Sequence, residues 1–392
     1  MNAAPGSPPA DRSFTMSRVD KVVEGAGSAE RLGRHLRSLQ GDRIAVLTSP
    51  SVRRSGFFDP IVDGLAGRAI SVLDQVRPHN RVTALAEIVD TLVSEPPDLI
   101  VAVGGGSVVD AAKLSALAVA RGERDASALV GLSMGRGEGR ALSIPGRVPT
   151  VVAVPTTLAG SEWNGYAGAV DERGTKVMIG HVRLTPSVVV LDPVVAGETP
   201  VDLWIQSGVR TLDHAIEGLH SRRSHVVSSA LSLEAIRAVA SALPNSRGDH
   251  SDPEATASCF RATWMAAVYM HNAPMGLSHA IGHQLGVAGV PHGATSSIVL
   301  PHVLRFLERR APEVQTRIRD ALHEAGAGGS TAAEALETWL DGLDVPRTLR
   351  GYEIDETTLD TIAAAVVESP LIDMVPGPVS VDDVRAILSR AW

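Results

Sequence analysis

The sequence predicts an α/β domain built on a parallel sheet, followed by an all-helical domain. Before Pro193, short apolar runs alternate with helical patterns, and the runs lack the polar alternation of strands that expose one face. Such strands are buried on both faces, as in a parallel sheet covered by helices. After Pro193, strand-like runs almost vanish and long helical patterns take over. We therefore place a domain boundary near this proline.

The individual elements follow from the spacing of apolar residues. In chain order, strands are expected in RIAVLTSP, AISVLDQV, DLIVAVGGG, VPTVVAVPTT and SVVVLDP. Helical spacing predicts helices in TALAEIVDTLVSE, VVDAAKLSALAVA, VDLWIQSGVRTLDHAIEGLH and SSALSLEAIRAVASAL. The segment AGAVDERGTKVMIG is typical of a hairpin that turns at residues 172–174.

The chain has 392 residues, which is longer than one hydrophobic core usually supports, so two domains are expected. Residues 1–17 are rich in Pro, Ala, Gly and Ser and are expected to form a disordered tail. Residues 18–192 would then form the α/β domain, and residues 193–392 the helical domain.

Charge and composition exclude several classes of function. The net charge is −8, which argues against a broad surface for nucleic acid or for an anionic membrane. Cys259 is the single cysteine, so an internal disulfide is excluded and a reducing compartment is expected. Neither an apolar run of membrane-spanning length nor a signal-peptide core is evident. We expect a cytoplasmic protein that acts on a small molecule and has no nucleic-acid or membrane partner.

Three consecutive glycines, residues 104–106, lie between a buried strand and a helix. Glycines let the backbone approach a phosphate, and a helix start supplies free N–H groups and a positive dipole end. A simple helix start capped by Ser107 is the alternative, although three glycines would be costly there. The pattern is neither GxGxxG nor a Walker loop, yet it predicts a phosphate-binding turn. Asp110 and Lys113 follow on the helix.

A second polar turn, PTTLAGSE at residues 155–162, follows the next apolar strand. Its hydroxyls and glycine suit the ribose, amide or phosphate of a cofactor, although an ordinary polar loop has the same composition.

Five of the 13 histidines fall between residues 271 and 302. His279 and His283 are four residues apart and share a helix face, and His292 lies in a Pro-His-Gly turn. Upstream, Arg210 and His214 share a face of another helix. A lone helical histidine is usually structural, but this density predicts an active site. Three neutral imidazoles could hold a divalent metal that a carboxylate normally completes.

Together these motifs resemble the iron-dependent (group III) alcohol dehydrogenase superfamily, and within it the maleylacetate reductases. GGGSVVDAAK at 104–113 is similar to the family's pyrophosphate loop, and PTTLAGSE at 155–162 to the second turn of the reductases. MGLSHAIGHQLGVAGVPHG at 275–293 is similar to a histidine-rich motif of the family, and the last 23 residues resemble the reductase C-terminus. The similarity covers the chain from about residue 18 onward.

The resemblance implies a Rossmann-like N-terminal domain and a helical C-terminal domain, the fold shared by group III alcohol dehydrogenases and dehydroquinate synthase-like enzymes. It also implies that NAD(P)H binds the first domain. Where relatives place an acid for the ribose, this chain has a serine followed by Arg53 and Arg54, which permits NADPH. The implied cofactor-binding residues are Ser49, Gly104, Gly105, Gly106, Ser107, Asp110, Lys113, Thr156, Thr157, Ser161 and Lys176.

The resemblance also implies the catalytic residues, which are Arg210, His214, His279, His283 and His292. Metal-dependent members use an aspartate and three histidines, and here Arg210 replaces the aspartate. The guanidinium removes an anionic ligand and would repel a divalent ion by a few kcal/mol at an effective dielectric constant of about 20. No metal is therefore expected, and Arg210 would bind a substrate carboxylate or polarise a carbonyl. Alternatively, Arg210 turns away to pair with Asp213 or Glu217.

Only three of the 36 basic residues are lysines, namely Lys21, Lys113 and Lys176. In so arginine-rich a chain, a retained lysine suggests a site where the planar guanidinium does not fit. Lys113 and Lys176 fall where the resembled family also has lysine. Both are expected to face the cleft, close to the cofactor.

These residues predict a homodimeric, metal-independent reductase similar to maleylacetate reductase. It would transfer a hydride from NAD(P)H to an activated enone, keto acid or aldehyde, and one histidine would supply the proton. Trp163-Asn164, which departs from the reductase pattern, suggests a substrate other than maleylacetate. A metal-dependent alcohol dehydrogenase is one alternative. A non-redox enzyme that catalyses elimination, cyclisation or isomerisation is another.

Overall fold

The computed structural model describes residues 13–65, 67–133, 142–246 and 252–392. Within these ranges the strands are β1 (Lys21–Glu24), β2 (Arg43–Leu47), β3 (Ala69–Leu73), β4 (Leu99–Gly104), β5 (Thr150–Pro155), β6 (Tyr166–Val170), β7 (Lys176–Gly180) and β8 (Val188–Leu191). The helices of the first half are α1 (Leu32–His35), α2 (Pro50–Arg53), α3 (Phe58–Asp63), α4 (Val82–Ser94), α5 (Gly106–Arg121) and α6 (Ala126–Val130). The later helices are α7 (Pro193–Gly197), α8 (Val201–His220), α9 (Val226–Asn245), α10 (Pro253–Ala267), α11 (Leu277–Val287), α12 (His292–Leu307), α13 (Pro312–Glu324), α14 (Ala332–Asp341), α15 (Glu356–Val367) and α16 (Val381–Ala391).

Six of these strands form one parallel sheet in the order β1-β8-β5-β4-β2-β3. Successive residues of the central strands enter different cores. Ile100 and Ala102 belong to one buried cluster, whereas Leu99, Val101 and Val103 belong to the cluster on the opposite face. Both faces are covered, which explains why these strands read as unbroken apolar runs. The predicted fold class, an α/β domain followed by a helical domain, is confirmed.

The carboxyl ends of β2, β4 and β5 meet at one edge of the sheet. Leu47 of β2 pairs with Ala102 of β4, and Gly104 at the end of β4 pairs with Pro155 at the end of β5. The two polar turns that follow these strands therefore begin side by side, which is where ligands bind in open α/β sheets.

β6 and β7 form the predicted antiparallel hairpin, in which Asp171 N–H donates to Thr175 O at 2.9 Å across the turn. Arg81, just before α4, makes an isolated bridge to Val170 at the end of β6. The hairpin is thereby joined to the turn that precedes α4.

The helical half is built around α8, whose bounds are those that the sequence predicts. Among the described helices, the neighbouring α9 is the one long and apolar enough to cross a membrane, although no such run was expected. It packs against α8 and α10 and contributes Ile236 and Val239 to the core of this half. Its packing is that of a core helix.

Two features near the N-terminus differ from the predictions. The strand β1 was not anticipated, because KVVE is short and no residue of it is fully buried. Residues 1–12 of the predicted tail lie outside the described residues. In the rest of that tail, Thr15 O accepts from Asn272 Nδ2 at 2.8 Å, and Thr15 N–H donates to Asn272 Oδ1 at 2.7 Å. This end of the segment is therefore fixed against the helical half.

Candidate functional site

The glycine-rich turn has the geometry of a phosphate cradle. Gly104 has φ +153°, and a Cβ atom there would lie 2.6 Å from the Val108 side chain, so glycine is required. Gly105 is the N-cap of α5, and no described side chain caps this helix. The first N–H groups of a helix have no intrahelical acceptor and attract anions, and here Gly106 and Ser107 supply them. The turn can therefore bind the pyrophosphate of a dinucleotide.

The second turn packs directly against the first. A Cβ atom on Gly105 would lie 3.2 Å from Thr157, and one on Gly106 would lie 3.0 Å from the Ala159 Cβ. Thr156 and Thr157 are buried. Thr156 N–H donates to Gly104 O at 3.2 Å, which joins the two turns directly.

Asp110 connects α5 to the second turn and to the hairpin. Its Oδ1 accepts a short hydrogen bond from the Ser161 hydroxyl, and its Oδ2 accepts from Gly168 N–H at 2.9 Å. Both oxygens are thus engaged with protein groups. The side chain positions the walls of the predicted cofactor site.

Lys113 does not face the cleft, and this expectation was wrong. Its side chain is fully buried, and the ammonium donates to Ser161 O at 2.6 Å, to Ser161 Oγ at 2.9 Å and to Tyr166 O at 2.6 Å. Burial lowers the pKa of Lys113, while Asp110 and the buried Glu162 oppose that shift. With its donors directed at protein oxygens, Lys113 holds the second turn and the hairpin together.

Glu162, which was not among the predicted site residues, is buried close to this lysine. Burial raises the pKa of Glu162 to about 7, and its Oε1 has no hydrogen-bond partner among the described residues. Glu162 is the last residue of the PTTLAGSE motif, but the sequence alone does not show that its carboxyl group is buried.

Lys176 lies at the start of β7 and is half-buried, so it is better placed than Lys113 to meet a ligand. Burial and the charge of Arg210 lower the pKa of Lys176 to about 8, and Asp110 opposes that shift. A Cβ atom on Gly168 would lie 3.4 Å from its Cε, so the stem runs along β6.

Ser49 lies at the same edge of the sheet as the glycine-rich turn. It is the N-cap of α2, and its Oγ accepts from Val52 N–H at 3.4 Å. Because β1 precedes β2, Ser49 follows the second strand and not the first. Arg53 is paired with Asp59 at 2.6 Å, so part of the basic character expected here is already neutralised.

The central helix α8 carries four buried polar residues on one face, at spacings of three and four residues. They are Arg210, Asp213, His214 and Glu217. Arg210 Nη1 lies 3.2 Å from Ser296 Oγ and 3.9 Å from Asp213 Oδ2. Arg210 therefore pairs with Asp213, as the alternative interpretation expects, and its side chain stays inside the cluster.

Glu217 and Asp213 join α8 to the start of α11. Glu217 accepts from the backbone N–H groups of Gly276, Ser278 and His279, and its Oε2 lies 2.6 Å from His279 Nδ1. Asp213 Oδ2 accepts from Ser278 Oγ at 2.9 Å. These contacts fix the first turn of α11, and with it the histidines of that helix.

The structure brings together three of the predicted histidines. The ring centroids of His214 and His279 are 4.8 Å apart, and those of His279 and His283 are 6.4 Å apart. Burial and the nearby cations lower the pKa of each imidazole, so all three are neutral at pH 7. His283 is half-buried and lies at the rim. His292 begins α12, and its side chain lies outside the described atoms.

The expectation of a site without a metal was wrong. Asp213, Glu217 and His279 are all buried, and each offers one ligand atom within 4.8 Å of the others. The sequence suggests these two carboxylates only as partners of Arg210. They lie three and seven residues after Arg210 on the same helix and offer oxygen ligands in place of the missing aspartate.

The chemistry of this group fits a divalent ion. Two carboxylates and a neutral imidazole are ligands that such ions accept. Asp213 Oδ1, His214 Nδ1 and His279 Nε2 are buried and have no hydrogen-bond partner among the described residues. Buried polar atoms are rarely left unsatisfied, so these atoms point to a further bound species. Burial raises the pKa of both carboxyls, and an ion would favour their ionised forms.

Gly160 connects the predicted cofactor site to the polar cluster. It has φ +76°, and a Cβ atom there would lie 3.6 Å from His214 Nδ1 and 3.0 Å from the Ala267 Cβ. Next to it, Ser161 binds Asp110 of α5. On the other side, Leu158 accepts from Thr211 Oγ1 of α8 at 2.8 Å. One short turn therefore binds α5 and lies close to His214.

Comparison with known proteins matches both halves of the chain. A family model for the iron-containing alcohol dehydrogenases matches residues 20–193, and a model for the C-terminal part of the same family matches residues 204–392.

Individual relatives carry two kinds of name. The NAD-dependent methanol dehydrogenase of Bacillus methanolicus is 28% identical over 94% of this chain and 97% of its own length. A maleylacetate reductase of Sphingobium indicum is 29% identical over 95% of each chain. Among solved structures, a putative alcohol dehydrogenase from Ralstonia eutropha JMP134 is 29% identical with a TM-score of 0.82 over 98% of both chains. The iron-containing alcohol dehydrogenase of Thermococcus thioreducens is 27% identical with a TM-score of 0.86, over 97% of this chain and 99% of its own.

Proposed function

Since this chain belongs to the iron-containing alcohol dehydrogenase family and is an NAD(P)-dependent oxidoreductase, we propose that it interconverts a small carbonyl compound and its alcohol. The proposed substrates are keto acids, aldehydes and, for the conjugate form of the reaction, activated enones. The observation that supports this proposal is that Gly160 lies close to His214, since a Cβ atom there would be 3.6 Å from Nδ1, while Ser161 of the same turn binds α5. A dinucleotide anchored at the helix start would reach a substrate at the histidines.

The reduction balances as a hydride transfer. NAD(P)H held at the start of α5 would supply a hydride to the carbonyl carbon and would leave as NAD(P)⁺. The carbonyl oxygen would then take a proton to give the alcohol. The reverse reaction oxidises the alcohol.

The chain's own residues have distinct tasks in this proposal. The backbone N–H groups at the start of α5 bind the pyrophosphate. His283, at the rim of the cluster and 6.4 Å from the His279 ring, is positioned to pass a proton between solvent and the substrate oxygen. Arg210 and Lys176 add positive charge near the developing oxyanion.

Asp213, Glu217 and His279 would hold a divalent metal in this site. When bound, such an ion supplies Lewis-acid polarisation of the substrate oxygen. This donor group favours the alcohol dehydrogenase side of the family, whereas the sequence motifs favour the maleylacetate reductases. The relatives are named as a dehydrogenase and as reductases, so the proposal covers both oxidation and reduction.

A kinetic comparison of two glycine variants tests the proposal. The wild-type protein is expected to oxidise NAD(P)H only when a keto acid or aldehyde is added, with one alcohol formed per cofactor. Gly160→Ala places a methyl group 3.0 Å from the Ala267 Cβ and adds strain at positive φ, so kcat/KM is expected to fall at least about tenfold.

Gly122→Ala is the matched control, because Gly122 has φ +66° at the end of α5 and a Cβ atom there would meet nothing within 4 Å. It carries the same kind of backbone strain away from the site, and its kcat/KM should stay within about twofold of wild type. The proposal is wrong if no carbonyl compound elicits NAD(P)H oxidation, or if a carbonyl compound is converted without oxidation of NAD(P)H.

A further inference from the structure

A pocket outside the buried cluster is lined by three basic side chains. His79 and Arg81 come from the turn before α4, Lys176 begins β7, and Gly286 and Val287 end α11. Among the described residues that line the pocket, none is an aspartate or a glutamate. The pocket opens between the hairpin and the last turn of α11.

Two of the basic groups, Lys176 and Arg81, lie close enough to act on the third, His79. Burial, Lys176 and Arg81 together lower the pKa of His79. Burial and Arg210 lower the pKa of Lys176 to about 8, with Asp110 in opposition. Two cations, Lys176 and Arg81, thus line one small pocket, and a bound anion would offset the free-energy cost of bringing their charges together.

The wall that carries His79 and Arg81 is fixed in an unusual conformation. His79 and Asn80 have φ values of 66° and 50°, in the left-handed region that residues other than glycine rarely adopt. Asn80 Nδ2 donates to Ser107 O at 2.9 Å, and the backbone of Arg81 bridges to Val170. The start of α5 and the hairpin therefore hold the basic groups in place.

The pocket lies on the same helix face as the catalytic histidines. Gly286 and Val287 follow His283 by three and four residues, and His283 follows His279 by four, so all lie along one side of α11. The axial distance from His283 to Val287 is about 6 Å. Lys176 lines the pocket and also lowers the pKa of His279 and His283, so its charge acts on both the pocket and the cluster.

We propose that this pocket binds the carboxylate of the substrate, and that the substrates are therefore short oxo acids and the corresponding hydroxy acids. The inference rests on the proposed function and names its substrate class. The carbonyl lies at the histidines, and the carboxylate lies a few bonds away against Arg81 and Lys176. A phosphate of the cofactor is the other anion that such a pocket could receive, and the experiment separates the two.

The test compares Arg81→Gln with Arg173→Gln, which removes the same charge from an exposed position in the hairpin turn. For each protein, kcat/KM is measured with 5-oxopentanoate and with its methyl ester, and the KM of the cofactor is measured in parallel. We expect the wild-type protein to have a higher kcat/KM with the acid than with the ester. Arg81→Gln should lower the acid-to-ester ratio of kcat/KM about tenfold, and Arg173→Gln should leave it within twofold of wild type.

A second readout does not require turnover. Glutarate, a dicarboxylate without a carbonyl to reduce, is titrated into each protein with NAD(P)⁺ present, and its affinity should fall about tenfold in Arg81→Gln alone. An unchanged acid-to-ester ratio with weaker cofactor binding would overturn the inference and assign the pocket to a cofactor phosphate. Equal losses of kcat/KM with the acid and with its methyl ester would also overturn the inference. If wild type reduces no carbonyl compound, the proposed function fails, and the glutarate titration alone decides whether the pocket binds carboxylates.

Discussion

Replacing Lys113 with methionine is expected to lower the free energy of unfolding by about 3–5 kcal/mol, the range typical of breaking a buried charged contact. Methionine has a similar length and fills the same space, but it cannot donate. Ser161 O and Tyr166 O would then lose a charged donor in the interior, and Asp110 would lose a cation 3.6 Å away. Denaturant unfolding of both proteins measures this difference.

Lys21→Met is the matched control for that experiment. Lys21 is exposed and donates to His35 O at 3.2 Å, so its loss should change stability by no more than about 0.5 kcal/mol. Because Lys113 joins the second turn to β6, cofactor binding by Lys113→Met should weaken as well. Equal stability of the two variants would contradict the structural role of Lys113.

Glu217→Gln is expected to lower the affinity for a divalent ion by about 100-fold. The substitution keeps the shape of the side chain but removes one of the two carboxylates of the group formed with Asp213 and His279. The glutamine amide has only one oxygen that can accept from the three backbone N–H groups at the start of α11, because its NH₂ group donates. The free energy of unfolding should therefore fall by about 1–3 kcal/mol.

The measurement is a calorimetric titration of chelator-treated protein with Zn²⁺, beside thermal unfolding. Glu234→Gln removes a carboxylate from the exposed face of α9 and serves as the control. It should bind Zn²⁺ as wild type does. Retention of wild-type Zn²⁺ affinity by Glu217→Gln would show that this carboxylate is not a ligand.

The fold could be predicted closely where a pattern is long and local. The amphipathic spacing of residues 201–220 gave the bounds of α8, and the unbroken apolar runs gave the central strands and their burial on both faces. β1 was missed because four residues with partial exposure carry no such pattern. Its register depends on pairing with β8, which is far away in sequence.

The candidate site was predictable in its residue types but not in its contacts. The glycines at the start of α5 and the histidines of α11 stood out because their spacing has a direct physical meaning. The roles of Lys113, Asp213 and Glu217 depend on which atoms of distant segments they meet. For Glu217 these are the first backbone N–H groups of α11, about 60 residues later, and no local pattern marks such a contact.

The most direct test of hydride transfer at this site follows the hydrogen itself. The protein is incubated with 5-oxopentanoate and NAD(P)H that carries deuterium at C4, with each of the two C4 isomers in turn. One isomer is expected to give an alcohol that is one mass unit heavier, with the deuterium on the carbinol carbon and one cofactor oxidised per product. Product that forms without cofactor oxidation, or deuterium that appears in solvent and not in the alcohol, would contradict the redox function.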